Sequence, residues 1–150
     1  MPQSNILSST KYRIVYAEDD EDDRKFFTDA FEPLNEDIEL ITFENGYEAF
    51  NGILRMAEDR DSPCLVVLDI NMPIMSGRDV LRLMRGNEKL KEIPVVLFTT
   101  SSLDRDRWFA REYNAEFITK PMDARQFTPI IRKFVNYCVN EITFSDRQPT

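Results

Sequence analysis

The segment Leu65-Val66-Val67-Leu68-Asp69 sets four apolar residues in a row and ends them on one carboxylate. An unbroken apolar run of that length fits a strand buried on both faces, as in a parallel sheet covered by helices. Asp69 stands where such a strand ends, and Pro73 and Gly77 then interrupt regular pairing. A carboxylate at the end of a buried strand is costly unless a cation, a proton or hydrogen-bond donors compensate it. Taken alone, Asp69 reads equally well as a helix cap or a loop residue.

The same alternation of apolar runs and helical spacing extends along the chain. Tyr12 to Ala17 is β-branched and aromatic and predicts a strand, which ends on the acidic run Glu18-Asp19-Asp20-Glu21-Asp22-Asp23. Phe26, Phe27, Ala30, Phe31 and Leu34 predict a helix from about Asp20 to Glu32, stopped by Pro33 and Asn35. The acids of its first turn suit the helix dipole. Ile38 to Phe43 alternates as a second strand, and Asn45-Gly46 turns the chain. Ala49, Phe50, Ile53, Leu54 and Ala57 then predict an amphipathic helix, which ends in Glu58-Asp59-Arg60-Asp61 and Pro63. After the opening segment, Ser76 caps a helix carrying Val80, Leu81, Leu83 and Met84 that closes near Gly86-Asn87. Pro94 opens a fourth strand, Val95 to Thr99. A helix from about Leu103 to Tyr113 follows, although its apolar spacing is poor. Glu116 to Thr119 is a short fifth strand ending at Lys120-Pro121. Phe127, Ile130, Ile131, Phe134, Val135 and Cys138 predict the last helix. Residues 1–11 and 140–150 are polar and read as loose ends.

Five strands alternating with five helices make an α/β protein with a doubly wound parallel sheet. Right-handed crossovers leave two common five-strand layouts. In the flavodoxin-like order 2-1-3-4-5, strands one and three flank the switch point, the crevice where open α/β sheets bind ligands. Glu18 and Asp19 then meet Asp69 in one pocket. Carboxylates that close repel, so a proton or a cation must join them. A hard divalent cation fits, and magnesium accepts two carboxylates with waters and a phosphate. Strands four and five bring the Thr99 hydroxyl and the Lys120 ammonium to the same edge. Singly, each residue has an ordinary reading: Glu18 and Asp19 as a solvated helix start, Thr99 as a turn residue, Lys120 as a surface lysine. Their joint placement at strand ends is what points to a site.

Composition narrows the chemistry. The 150 residues suit one domain with a sizeable core. A charge of −8, from 19 basic and 27 acidic residues, argues against nucleic acid or an anionic membrane as partner and for a basic partner or a bound cation. With no histidine, His-based catalysis and most zinc sites are excluded. Cys64 and Cys138 stand in apolar patterns and read as buried thiols. Neither a signal peptide nor a run of membrane length is evident, so a cytoplasmic location is the expectation. A carboxylate can act as a nucleophile toward phosphorus, and phosphoryl transfer needs mainly positioning and charge neutralisation. With no Gly-rich phosphate loop, the expected donor is a phosphorylated partner or small phosphodonor rather than ATP.

The set Glu18-Asp19, Asp69 followed by Met72-Pro73 and Gly77, Thr99, and Lys120-Pro121 resembles the receiver domain of two-component response regulators, the CheY-like fold. The resemblance covers about residues 11 to 139. It implies a flavodoxin-like three-layer sandwich with strand order 2-1-3-4-5 and a stand-alone receiver over 12–139, with no output domain in 140–150. It implies that Asp69 accepts a phosphoryl group from a histidine kinase or histidine phosphotransfer protein. Mg²⁺ would be held by Glu18, Asp19, Asp69 and the main-chain carbonyl of Asn71. Lys120 would contact the phosphoryl group, Thr99 would move toward it, and Phe117 would be the switch aromatic. The Lys120-Pro121 bond is often cis in this family. The output would pass through the face of helix four, strand five and helix five, to a protein target or to a second copy. Arg105, Arg107, Trp108 and Arg111 are the candidate contacts there. Two positions depart from the family pattern. Thr100 replaces the usual small residue, and the interval of 50 residues from Asp19 to Asp69 implies an extended second helix or flanks.

Three other readings compete. A phosphohydrolase of the haloacid dehalogenase class would need an acid two residues after its nucleophile, where this chain has Asn71. A flavodoxin-type carrier would need a phosphate-binding loop after strand one, where the acidic run repels phosphate. A degenerate receiver would bind partners without phosphorylation.

Overall fold

In the computed structural model, which describes residues 12–34 and 37–140, strands and helices alternate from one end to the other. The order is β1 (Tyr12–Ala17), α1 (Glu21–Phe31), β2 (Ile38–Phe43), α2 (Gly46–Glu58), β3 (Leu65–Leu68), α3 (Gly77–Arg85), β4 (Val95–Thr99), α4 (Asp104–Glu112), β5 (Glu116–Thr119) and α5 (Phe127–Asn140). Short 3-10 turns lie at Glu32–Leu34 and Ala124–Gln126. Every pairing is parallel, and the sheet runs β2-β1-β3-β4-β5, the expected order 2-1-3-4-5. The register sets Ala17 opposite both Phe43 and Leu68, so the C-terminal ends of β1, β2 and β3 finish level.

The period-two alternation of strand side chains divides the interior into two layers. Ile14 and Tyr16 of β1, Leu65 and Val67 of β3, and Val96 and Phe98 of β4 pack under α1 and α5 with Phe27, Phe31, Phe127 and Phe134. Val15, Ala17, Val66, Leu68, Val95 and Leu97 face the other way, under α2, α3 and α4. The first layer is aromatic: Tyr16 stacks on Phe27 with ring centroids 3.9 Å apart, and Phe98 meets Phe127 edge-on at 5.4 Å.

Local signals explain where the helices start. Asp20 caps α1 by accepting from the Asp23 N–H, Asn45 caps α2, and Ser76 forms a capping box with Asp79 on α3. The long interval between Asp19 and Asp69 is filled partly by the thirteen-residue α2. The weakly patterned α4 is a helix whose core side carries Asp106 and Ala110. The strongly patterned α5 extends to Asn140, one residue into the expected tail. Residues 1–11, 35–36 and 141–150, with the expected loose ends and the break at Asn35, lie outside the described residues. No helix of the described residues is long and apolar enough to cross a membrane.

One expectation is corrected, and the isomer left open at Pro121 is settled. Cys64 and Cys138 are not separate thiols but a disulfide, with their Cα atoms 5.7 Å apart. Cys64 precedes β3, and Cys138 lies on the last turns of α5, which packs over that end of the strand; burial in one layer brings them together across a separation of 74 residues. No peptide bond among the described residues is cis, so Lys120–Pro121 is trans.

Candidate functional site

The site is assembled by residues that continue the sheet ladder one step past each strand. The Glu18 N–H donates to Phe43 O at 2.9 Å, the Asp69 N–H to Ala17 O at 3.1 Å, and the Lys120 N–H to Thr99 O at 2.8 Å. Each side chain therefore leaves a backbone already fixed by a neighbouring strand. Gly77 clamps the same point from outside. A Cβ on it would lie 2.1 Å from the Asp69 carbonyl oxygen, and its N–H donates to Ile70 O at 2.9 Å.

Glu18, Asp19 and Asp69 each offer a carboxylate oxygen, and these three atoms all lie within 4.8 Å of one another. Glu18 and Asp69 are buried and Asp19 is exposed. The Ile70 N–H donates to Asp69 Oδ1 at 2.8 Å. Lys120, also buried, reaches into the same pocket: Nζ pairs closely with Glu18 Oε1, lies 2.8 Å from Asp23 Oδ2 and 3.6 Å from Asp69 Oδ2. The Tyr16 hydroxyl donates to Glu18 Oε1 at 3.2 Å, and the Asp20 N–H to Glu18 Oε2 at 3.1 Å. Arg24 binds the main-chain oxygen of Glu18 at 2.7 Å, not these carboxylates.

The electrostatics follow from crowding. Burial, and then the Asp69 charge, push the Glu18 carboxyl up to about 7, although Lys120 and the Asp20 N–H pull it down. Burial alone would lower the Lys120 amine, but Asp69, Asp23 and Glu18 outweigh it and hold the amine above the usual lysine value. The Tyr16 phenol is raised by burial and by the acids around it, so it remains a donor. Lys120 touches three carboxylates, and Asp19 lies beside two of them, so one ammonium does not neutralise the group. The donor atoms are all oxygen and mostly anionic, the chemistry that suits a hard divalent cation.

The remaining expected residues fall as follows. Thr99 ends β4 fully buried, and its Oγ1 accepts the Ser101 N–H at 3.2 Å. Asn71 lies in the exposed loop two residues past Asp69. Phe117 is half-buried on β5, with the Arg107 guanidinium 4.7 Å from its ring centroid. Arg105, Arg107, Trp108 and Arg111 are all exposed on α4, and Arg111 stands 5.2 Å over the Trp108 ring. Thr100 is exposed.

Three residues of the neighbourhood carried no sequence-level assignment. Asp23 was one acid among six. Tyr16 looked like an ordinary strand aromatic. Asp106 turns out to be buried, pairing with Arg78 Nη1 at 2.7 Å and accepting the Ser101 hydroxyl at 2.6 Å. An acid at the core-facing position of α4 was the available signal.

The sequence pattern of the response regulator receiver domain matches residues 14–132. The chain is 28% identical over 133 residues to response regulator Rcp1 of Synechocystis sp., covering 87% of this chain and 90% of that protein. It is 29% identical over 123 residues to the polar-differentiation response regulator DivK of Brucella anthropi, covering 81% and 94%. Among solved structures, the phosphorylated cyanobacterial phytochrome response regulator RcpA superposes with a TM-score of 0.77 at 27% identity, covering 88% of this chain and 96% of that one. The Mn(2+)-bound form of Rcp1 gives 0.74 at 28% identity, covering 88% and 97%. With the family pattern spanning most of the molecule and the fold matching in strand order, the chain belongs to the response regulator receiver domain family of two-component signalling proteins.

Proposed function

We propose that this chain is a single-domain response regulator that takes a phosphoryl group onto Asp69 from a phosphohistidine on a kinase or phosphotransfer partner. The observation that carries the reading is the convergence of Glu18, Asp19 and Asp69 oxygens within 4.8 Å, with Lys120 Nζ 3.6 Å from Asp69. Relatives with phosphorylated and Mn(2+)-bound structures support it.

In this reading Glu18, Asp19, Asp69 and the Asn71 carbonyl hold Mg²⁺, which supplies positive charge against the incoming phosphoryl oxygens. A carboxylate oxygen of Asp69 attacks phosphorus, the phosphorus–nitrogen bond of the donor breaks, and the histidine nitrogen leaves with the electron pair. Lys120 turns its ammonium to a phosphoryl oxygen, and the Thr99 hydroxyl donates to another. The new group adds roughly −1.5 to −2 charges. That charge biases a two-state equilibrium: Thr99 moves inward, Phe117 follows, and the face of α4, β5 and α5 changes shape for a target or a second copy. The chain thus catalyses only its own phosphorylation and dephosphorylation, as a receiver over residues 12–139 acting in the cytoplasm.

The test is incubation with acetyl phosphate and Mg²⁺ followed by intact-mass measurement. A phosphoryl adduct on the wild type, absent from Asp69→Ala, is expected. Equal adduct on both proteins would move the acceptor elsewhere, and none on the wild type would favour a phosphorylation-independent binding module.

A further inference from the structure

The Lys120 ammonium has more carboxylates than it can serve. Glu18 and Asp23 take it at hydrogen-bonding distance, Asp23 at 2.8 Å, while Asp69 Oδ2 stays back at 3.6 Å. Asp23 comes from α1, not from a strand end, and its place is set by the helix cap: its own N–H donates to Asp20 Oδ1 at 3.1 Å. We propose that Asp23 is a positioning residue that keeps Lys120 on the α1 side of the pocket, and that capture of a phosphoryl group on Asp69 requires this ion pair to open. The inference rests on the phosphoacceptor reading above.

Burial decides which partner can let go. The Glu18 side chain is 1% exposed, so stripping it of Lys120 leaves a buried carboxylate. The Asp23 side chain is 26% exposed, so water can take over when Lys120 leaves. Asp23 is therefore the releasable partner. It holds the lysine while Asp69 is bare and gives it up when phosphoryl oxygens compete. Its removal acts twice in one direction. Lys120 is freed toward Asp69, and one negative charge that opposes the incoming anion is gone.

The experiment measures beryllofluoride binding calorimetrically at saturating Mg²⁺, for wild type, Asp23→Asn, Asp23→Ser and the control Asp22→Asn. Asp22 is the exposed neighbour and makes the same charge change without touching Lys120. Both Asp23 variants should bind the phosphoryl mimic about three- to fivefold more tightly than wild type, the range of a partly exposed ion pair, with Asp22→Asn nearer to wild type. A residue that only supported the fold would weaken binding when removed. Asp23 variants that match Asp22→Asn, or bind more weakly than wild type, overturn the inference. Failure of the wild type itself to bind the mimic would instead overturn the phosphoacceptor reading.

Discussion

Asp106 Oδ2 accepts the Ser101 hydroxyl at 2.6 Å, so a buried acid on α4 anchors the loop that follows Thr99. The other oxygen takes Arg78 Nη1 of α3 at 2.7 Å, and the Ser101 N–H returns to Thr99 Oγ1 at 3.2 Å. One carboxylate thus ties two helices to the end of β4. Buried acids persist only when paired, and here both oxygens have partners.

Asp106→Ala should therefore destabilise the protein by about 2–3 kcal/mol, below the full cost of breaking a buried pair because Arg78 is about one-third exposed. Asp106→Asn keeps an acceptor and should cost about 1 kcal/mol. Urea unfolding of the two variants checks the ranking. An alanine variant as stable as wild type would show the pair to be dispensable.

The strands were legible because buried parallel strands read as plain apolar runs, and Val66-Val67 or Val95-Val96 admit few other fates; their order was not, since right-handed crossovers left two layouts and the family resemblance chose between them. The convergence of Glu18, Asp19 and Asp69 followed from topology, since whatever ends β1 and β3 must meet at the switch point. Asp23 was hidden for the opposite reason. Any acid in a first helical turn is explained by the dipole, so nothing singled out the one that reaches Lys120. Asp106 weakened the pattern of α4 instead of revealing a site, because periodicity counts apolar residues and a paired acid is not one. The Cys64–Cys138 bond joins residues 74 apart, a separation that no local signal encodes.

Gly77 is the second place where one atom decides. A methyl group there would sit 2.1 Å from the Asp69 carbonyl oxygen and 2.9 Å from its carbonyl carbon, both backbone atoms. Gly77→Ala should cost about 1–3 kcal/mol by overpacking and displace Asp69. The matched control is Gly86→Ala, where the nearest atom would be 3.7 Å away and φ is −91°. That change should stay within about 0.5 kcal/mol of wild type. Thermal unfolding measures both, and equal melting temperatures for the pair would contradict the close approach.

The disulfide makes a separate prediction. Closing 74 residues of unfolded chain favours the native state entropically. Reduction should lower stability by about 2–4 kcal/mol, with Cys64→Ala or Cys138→Ala matching the reduced protein. Urea unfolding with and without dithiothreitol tests this, alongside a thiol count that should be zero before reduction. Two free thiols in the untreated protein would refute the bond.

The proposed divalent-cation site gives the last prediction. Without the cation, Glu18, Asp19 and Asp69 repel one another across less than 4.8 Å, and Lys120 is shared among too many acids to offset them. A ligand that binds only the folded state stabilises it by RT ln(1 + [L]/Kd), about 1.4 kcal/mol at tenfold excess over Kd. Mg²⁺ should therefore raise the wild-type melting temperature relative to a chelated sample. Asp69→Asn removes one of the three charges yet keeps an oxygen to accept the Ile70 N–H. It should melt higher than wild type in chelator, because repulsion is relieved, and gain less from Mg²⁺, because a ligand is weakened. The two curves are expected to converge as Mg²⁺ is added. A variant that melts lower than wild type in chelator, or gains as much from the cation, would show that these three carboxylates do not act as one charged cluster.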